Sequence, residues 1–306
     1  MADIYAPEFT NEAAAIAHLE KSRWEVSGAH CPHCGSFAVR KMEGATQAGY
    51  WLCNDCRDKF TCRTGTVMER SHIPVHKWLL AIHLMASSKK GMSAHQLHRM
   101  LGVTYKSAWF LAHRIREAMI DTKAGPLGGE GKSVQADETY IGNSSKRAKG
   151  YKKGHSHKEQ IVALVEPGGK AKAVHVKKAT KQSVREILVT NASRKSELHT
   201  DESNLYVAVG KEFAAHKTVN HGWNGRGEYV GKDGQTTNAA ENFFGVFKRG
   251  MVGTYHKCDA QHLQRYVTEF EFRFNRRTAL GVNDKMRADD LLKGIEGKRL
   301  TYRRPN

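Results

Sequence analysis

The chain lacks an apolar run long enough to span a bilayer: the longest, Trp78 to Ala86, is interrupted by His83 and falls far short of the roughly 20 residues a spanning helix needs. It also lacks the basic start and apolar block of a secretory signal, because residues 1 to 30 carry Asp3, Glu8, Glu12 and Glu20. These two absences predict a protein that stays in the cytoplasm with no membrane partner. Acid is in short supply as well: 31 Asp plus Glu stand against 49 Lys plus Arg, a formal charge of +18. Such an excess calls for phosphate, since each cation placed on a nucleic-acid backbone releases a condensed counterion. What is present is enough to fold. A chain of 306 residues suggests about two domains, and 40% hydrophobic content excludes wholesale disorder.

Four of the six cysteines form two pairs, Cys31-Pro-His-Cys34 and Cys53-Asn-Asp-Cys56, with eighteen residues between them. Each pair places two sulfurs on one ion through a tight knuckle, and a hairpin returns the second pair, so the spacing predicts a tetrahedral zinc site. Ser36 to Arg40 and Tyr50 to Leu52 have strand composition, with Gly44 and Gly49 available for the turn. Disulfides are disfavoured in a reducing cytoplasm. Four thiolates leave no open position, so this zinc is expected to fold a module rather than catalyse. Cys62 and Cys258 read as small packing residues.

A helical region follows. Val75 to Ser87 reads as a helix; Ser93 caps Ala94 to Leu101, Gly102 turns the chain, and Thr104 caps Lys106 to Ile120. Ala108, Leu111, Ala112, Ile115 and Met119 share one face of that last helix, and Tyr105, Lys106, His113, Arg114 and Arg116 are expected on the outward one. The pattern fits a DNA-reading helix-turn-helix, and also an amphipathic hairpin between domains.

Beyond the glycines at 125, 128, 129 and 131, the spacing changes to that of strands, and a new domain is expected near residue 130. Ser133 to Ile141, Gln160 to Glu166 and Ala171 to Lys177 read as strands, Lys181 to Thr190 as a helix and Glu197 to Thr200 as a fourth strand. Between the first two strands, Lys146, Arg147, Lys149, Lys152, Lys153 and Lys158 form a basic run without an acid, either a loop that clamps a backbone or a solvated hairpin tip.

Asp137 and Asp201 each interrupt an apolar run with a carboxylate that has no basic neighbour. If the first and fourth strands are adjacent, the two converge, and hard divalent ions such as Mg²⁺ take oxygen ligands of this kind in phosphodiester chemistry. Alternatively each is an ordinary strand-end residue, and Asp201 could cap a helix near Ser203. Thr237 to Arg249 reads as a helix placing Asn238, Glu241 and Lys248 within an arc of about 80°. That face offers oxygen donors and a cation, or a merely solvated surface. Phe243, Phe244 and Phe247 would pack the other side, and the helix Asp259 to Arg277 is expected to be core.

Zinc ribbon, helix-turn-helix, Ala136-Asp-Glu-Thr-Tyr-Ile-Gly142, His199-Thr-Asp-Glu-Ser203 and Asn238-x-x-Glu-x-Phe-Phe-x-x-x-Lys-Arg-Gly250 occur here in one order. In that order the chain resembles the bacterial zinc-ribbon insertion-sequence transposases of the ISXO-like type, over roughly residues 15 to 280. The resemblance implies an α/β protein in which a zinc ribbon and helix-turn-helix region precede an RNase H-like mixed-sheet catalytic domain. It further implies a structural Zn²⁺, a catalytic Mg²⁺ that Mn²⁺ can replace, binding of terminal inverted repeats and target DNA, and strand nicking followed by strand transfer. Asp137 and Asp201 correspond to the first two metal ligands, Asn238 or Glu241 to the third, and Lys248 to a phosphate-contacting lysine. His221, in Asn220-His221, would lie near the scissile phosphate or be a surface histidine. Lys106, Arg114, Arg116, Lys146, Arg147, Lys152, Lys153 and Arg249 are the expected DNA contacts. The implied organisation is an N-terminal helix over 1–24, the ribbon over 25–72, the helix-turn-helix region over 73–124, the catalytic domain over 130–280 and a basic tail over 281–306. A homo-oligomer on DNA is expected because two element ends must be held together. A DNA-binding regulator with an inactive catalytic fold, and a stand-alone nuclease, are the alternatives.

Overall fold

The computed structural model describes residues 4–44, 47–142, 158–220 and 230–301. It divides into two compact units, residues 1–121 with 282–306, and residues 122–281.

The first unit opens with α1 (Pro7–Thr10) and α2 (Glu12–Trp24), where Asn11 caps α2 by accepting from the Ala14 amide at 3.0 Å. An antiparallel meander follows, β1 (Val39–Lys41), β2 (Tyr50–Cys53) and β3 (Lys59–Thr61). Next come α3 (Val75–Ser87), α4 (Ala94–Leu101) and α5 (Tyr105–Ala118). The expected caps are in place: Ser93 and Gln96 form a reciprocal capping box, Gly102 ends α4 in the left-handed region at φ +58°, and Thr104 accepts from the Ser107 amide. Ala108, Leu111, Ala112, Ile115 and Met119 are buried, as their spacing requires.

Two expectations are corrected in this unit. Residues 282–301, expected as part of a basic tail, pack into the first unit. The helix Asp284–Lys293 packs against α3, Leu291, Leu292 and Ile295 are buried, and the Ile295 carbonyl accepts from the Val67 amide at 3.1 Å. Arg287 donates to the last-turn carbonyl of Ala86 at 3.0 Å, and Lys298 donates to Ala118 O at 3.0 Å, closing the end of α5. α5 itself has no wholly outward face. His113, Arg114 and Arg116 are buried, whereas Tyr105 and Lys106 are exposed. Arg114 donates to the Glu69 carbonyl at 2.5 Å and lies over the rings of Phe110 and Trp78, its stem and plane used for packing. Helical spacing within α5 could not register partners from elsewhere in the chain: Glu69 and Trp78 for Arg114, and Lys298, 180 residues on, for the Ala118 carbonyl.

The second unit begins earlier than expected. Leu127 pairs with the end of α6 (Lys181–Asn191), donating to Asn191 O and accepting from Ser193 N, both at 2.8 Å. Gly128, at φ +80°, lies so close that a Cβ would stand 2.1 Å from Ser196 Oγ. The glycine-rich stretch is therefore part of the domain.

Its sheet contains β4 (Ser133–Ile141), β5 (Glu159–Val165), β6 (Ala171–Val176), β7 (Glu197–Asp201) and β8 (Ala215–Val219), in the order β6-β5-β4-β7-β8. The first three strands are antiparallel, while β7 and β8 run parallel to β4. This is the RNase H-like mixed sheet. A short α7 (Val207–Gly210) and α6 cover one face, where Val134, Ala136, Val162, Leu164 and Leu198 are buried. On the other face, α8 (Asn238–Gly250) and α9 (Ala260–Asn275) bury Phe243, Phe244, Phe247, Val267 and Phe270 against Ile161, Ala163 and Val165. One turn of π-helix, Met251–Tyr255, separates them. α9 does more than pack. Asn275 accepts from and donates to Ala171, Glu271 accepts from Ala173 N, and Gln264 bonds Ala173 O and His175 N, at 2.6 to 3.2 Å. These side chains occupy the outer edge of β6 as a neighbouring strand would, protecting it from pairing with another chain.

Candidate functional site

The cysteine cluster comes first along the chain. The Sγ atoms of Cys31, Cys34, Cys53 and Cys56 all lie within 4.8 Å of one another, with Cys31 to Cys56 at 3.7 Å and Cys34 to Cys53 at 3.6 Å. A tetrahedron of Zn–S bonds near 2.3 Å has edges of about 3.8 Å, so the four sulfurs fit a zinc ion. Two tight turns present them, closed by Gly35 N to Cys31 O at 2.8 Å and Arg57 N to Cys53 O at 3.1 Å. All four positions are cysteine sulfurs, which leaves none open to substrate and makes the site structural.

The second site lies in the sheet. β4 and β7 are parallel neighbours whose pairing ends at Gln135 opposite His199. Asp137 and Asp201 each stand two residues further on, so they project from the same face at the point where the strands part. Asp137 Oδ1 accepts from the Glu138 amide at 2.8 Å, and Asp201 Oδ1 from the Ser203 amide at 3.0 Å. Asp201 caps no helix, since α7 starts only at Val207; it shapes the turn that leaves the strand.

Electrostatics mark this place as unusual. Burial, and then the charges of Glu138, Asp201 and Glu241, push the Asp137 carboxyl up to about 7, against a partial opposing effect of the Glu138 amide. An acid this perturbed is surrounded by acids and attracts either protons or a cation. Glu138 is also raised, by burial first and by Asp201, although the Tyr206 phenol donates to its Oε2. Tyr206 is fully buried and stays protonated far above its ordinary range, for burial and the acid beside it oppose its ionisation.

α8 faces this centre from the β4 side. Asn238, Glu241, Lys248 and Arg249 are exposed on it, and the three phenylalanines are buried beneath. Glu241 acts on the charge of Asp137 and accepts from Thr237 Oγ1 at 3.2 Å. Asp137, Asp201 and Glu241 are less tightly drawn together than the cysteines, which are the one such group within 4.8 Å among the described residues. Gln135, Glu138 and Tyr206 escaped the reading of the sequence. A glutamine inside an apolar strand, on the same face as an acid two residues later, was the available sign for the first; Tyr206 carried none. Lys146, Arg147, Lys152, Lys153 and His221 lie outside the described residues. No helix among the described residues is long and apolar enough to cross a membrane.

Comparison with known proteins agrees with this division. Residues 10–59 match the transposase zinc-ribbon domain, and residues 126–275 match the ISXO2-like transposase domain. A protein of Halobacterium salinarum, named as an uncharacterized protein in transposable element ISH50, is 26% identical over 279 residues, covering 87% of this chain and 91% of that protein. With both domains in the family's order and the acids converging on one face of the sheet, the chain belongs to the zinc-ribbon transposases of the ISXO2-like family.

Proposed function

We propose that this protein is a DNA transposase that binds the terminal inverted repeats of an insertion sequence and performs Mg²⁺-dependent nicking and strand transfer. The observation that carries the reading is the convergence of Asp137 and Asp201 where β4 and β7 part, with an acid-bearing helix alongside. In this reading Asp137, Asp201 and a third oxygen donor from α8 hold the metal. Glu241 is favoured for that role because its charge acts on Asp137, and Asn238, in the same first turn, is the neutral alternative. A divalent ion bound there supplies Lewis acidity, offsetting charge on the phosphate and easing loss of the proton from the attacking hydroxyl. The protein's part is positional and electrostatic. Ser203 N orients Asp201, Tyr206 holds Glu138 aside, and Lys248, two turns beyond Glu241, reaches the DNA phosphate. Lys106 and Arg249 make backbone contacts, and the active complex holds at least two copies because two ends react together.

The test is incubation of purified protein and Mg²⁺ with a duplex carrying the repeat that flanks its own gene. A nick at the repeat boundary, absent from Asp201→Ala although that variant still binds the duplex, is the expected result. Specific binding without any nick would favour a regulator, and cutting that never leads to joining would favour a nuclease.

A further inference from the structure

The acid-bearing strand and the facing helix are joined by one buried amide. Gln135 is 1% exposed and stands on β4 two residues before Asp137. Its Oε1 accepts from the amides of Ala239 at 2.8 Å and Ala240 at 3.3 Å. α8 depends on that acceptor, because its N-cap residue, Thr237, makes no side-chain cap and the first-turn amides of a helix have no partner within it. The neighbouring amides are satisfied nearby: Asn238 N donates to Thr236 Oγ1 at 3.1 Å and Glu241 N to Thr237 O at 3.0 Å. For Ala239 and Ala240 the cap comes instead from more than 100 residues earlier in the chain. The same turn carries Asn238 and Glu241.

We propose that Gln135 is a positioning residue that tethers the first turn of α8 to β4 and so sets the separation between Asp137 and the α8 ligand. This rests on the metal-site reading given above. The tether has a chemical signature that volume alone does not. Two N–H donors at a helix N-terminus favour an oxygen acceptor, and a carboxylate serves them as well as an amide. Gln135→Glu therefore keeps the tether, whereas Gln135→Met keeps the length and apolar bulk but leaves both N–H groups unpaired. A side chain that only filled space would give the opposite order, with Met tolerated and the buried charge of Glu harmful.

The experiment compares full-length wild type, Gln135→Met and Gln135→Glu by amide hydrogen exchange over residues 236–242 and by calorimetric titration with Mn²⁺. Exchange in the Met variant should accelerate at least tenfold and its Mn²⁺ affinity fall about tenfold, with terminal-repeat binding retained, while the Glu variant exchanges at close to the wild-type rate. Wild-type exchange and affinity in the Met variant, or a Met variant nearer to wild type than the Glu variant, would overturn the proposal. If the Met variant does not fold, the Glu variant decides: slow exchange supports the tether, and fast exchange in a folded protein overturns it. Wild-type protein that takes up no Mn²⁺ would instead overturn the metal-site reading, whatever the order of exchange.

Discussion

At the scale of single residues, Asp137 gives the most direct link between charge and stability. Its value in the folded chain is about 7, against an ordinary 3.8. Between those limits the folded chain keeps a proton that the unfolded chain has released, so stability falls as pH rises through the interval and the full cost is present above it. Asp137→Asn should therefore raise the melting temperature of metal-free protein by a few degrees at pH 8 and leave it unchanged near pH 3. In the proposed function Mg²⁺ competes with that proton, so its stabilising effect on wild type should be larger at pH 8 than at pH 6 and absent from the variant; thermal scans with and without the ion check both. The third ligand is a separate matter. Glu241→Ala should abolish nicking, with Asn238→Ala losing less than tenfold, and the reverse order would assign the role to the amide. Arg114 and Lys106, both expected as DNA contacts from their place on α5, now separate. Arg114→Ala should lower stability by about 1–3 kcal/mol through lost packing and an orphaned carbonyl, and only Lys106→Ala should weaken DNA binding in a fully folded protein.

At the scale of elements, two helices are capped from a distance. α8 has Gln135, and α3 has Glu12, which accepts from Val75 N at 2.8 Å, His76 N at 3.1 Å and the His76 ring at 2.7 Å. Burial alone would raise the Glu12 carboxyl, but these hydrogen bonds and the nearby imidazole outweigh it and hold the group below its ordinary 4.5. A depressed acid stabilises the fold above its unfolded value and loses that effect as pH falls through the folded one. Glu12→Gln should cost about 1 kcal/mol at pH 7, and the difference from wild type should shrink as the solution is acidified below pH 4.5, as urea titrations at several pH values would show. The ribbon is held by its metal: chelating zinc should unfold residues 25 to 62 and weaken end binding, and Cys31→Ser with verified zinc loss should do the same. The legibility of elements follows their burial. Ile161 to Val165 is buried on both faces and reads as a strand from its apolar run. β8, with His216, Lys217 and Thr218 in five residues, owes its extension to pairing with β7, and β3 has only three residues in which to show a period. The two aspartates stood out because each breaks an apolar strand. Gln135 and Tyr206 did not, since what defines them is a partner 104 or 68 residues away.

At the scale of the whole molecule, the charge of +18 that first suggested DNA makes a quantitative claim about salt. End binding should weaken steeply with ionic strength, and Lys106→Ala should reduce the slope of log K against log salt by about 1. The first unit is built from segments on either side of the second. Truncation after residue 281 removes the helix packed on α3 together with buried Leu291, Leu292 and Ile295, so it should unfold the first unit and abolish end binding while leaving the mixed sheet folded. In the proposed function the acids on β4, β7 and α8 together hold a divalent ion at the point where DNA is cut. Replacing Mg²⁺ with Fe²⁺ in the presence of ascorbate and peroxide makes a bound ion cleave the backbone beside its ligands, and the cuts can be mapped by mass spectrometry. Cuts beside residues 137, 201 and 238–241, suppressed by excess Mg²⁺ and missing from Asp137→Ala, are the predicted result; cleavage confined to the cysteine ribbon, or unchanged by that substitution, would contradict it.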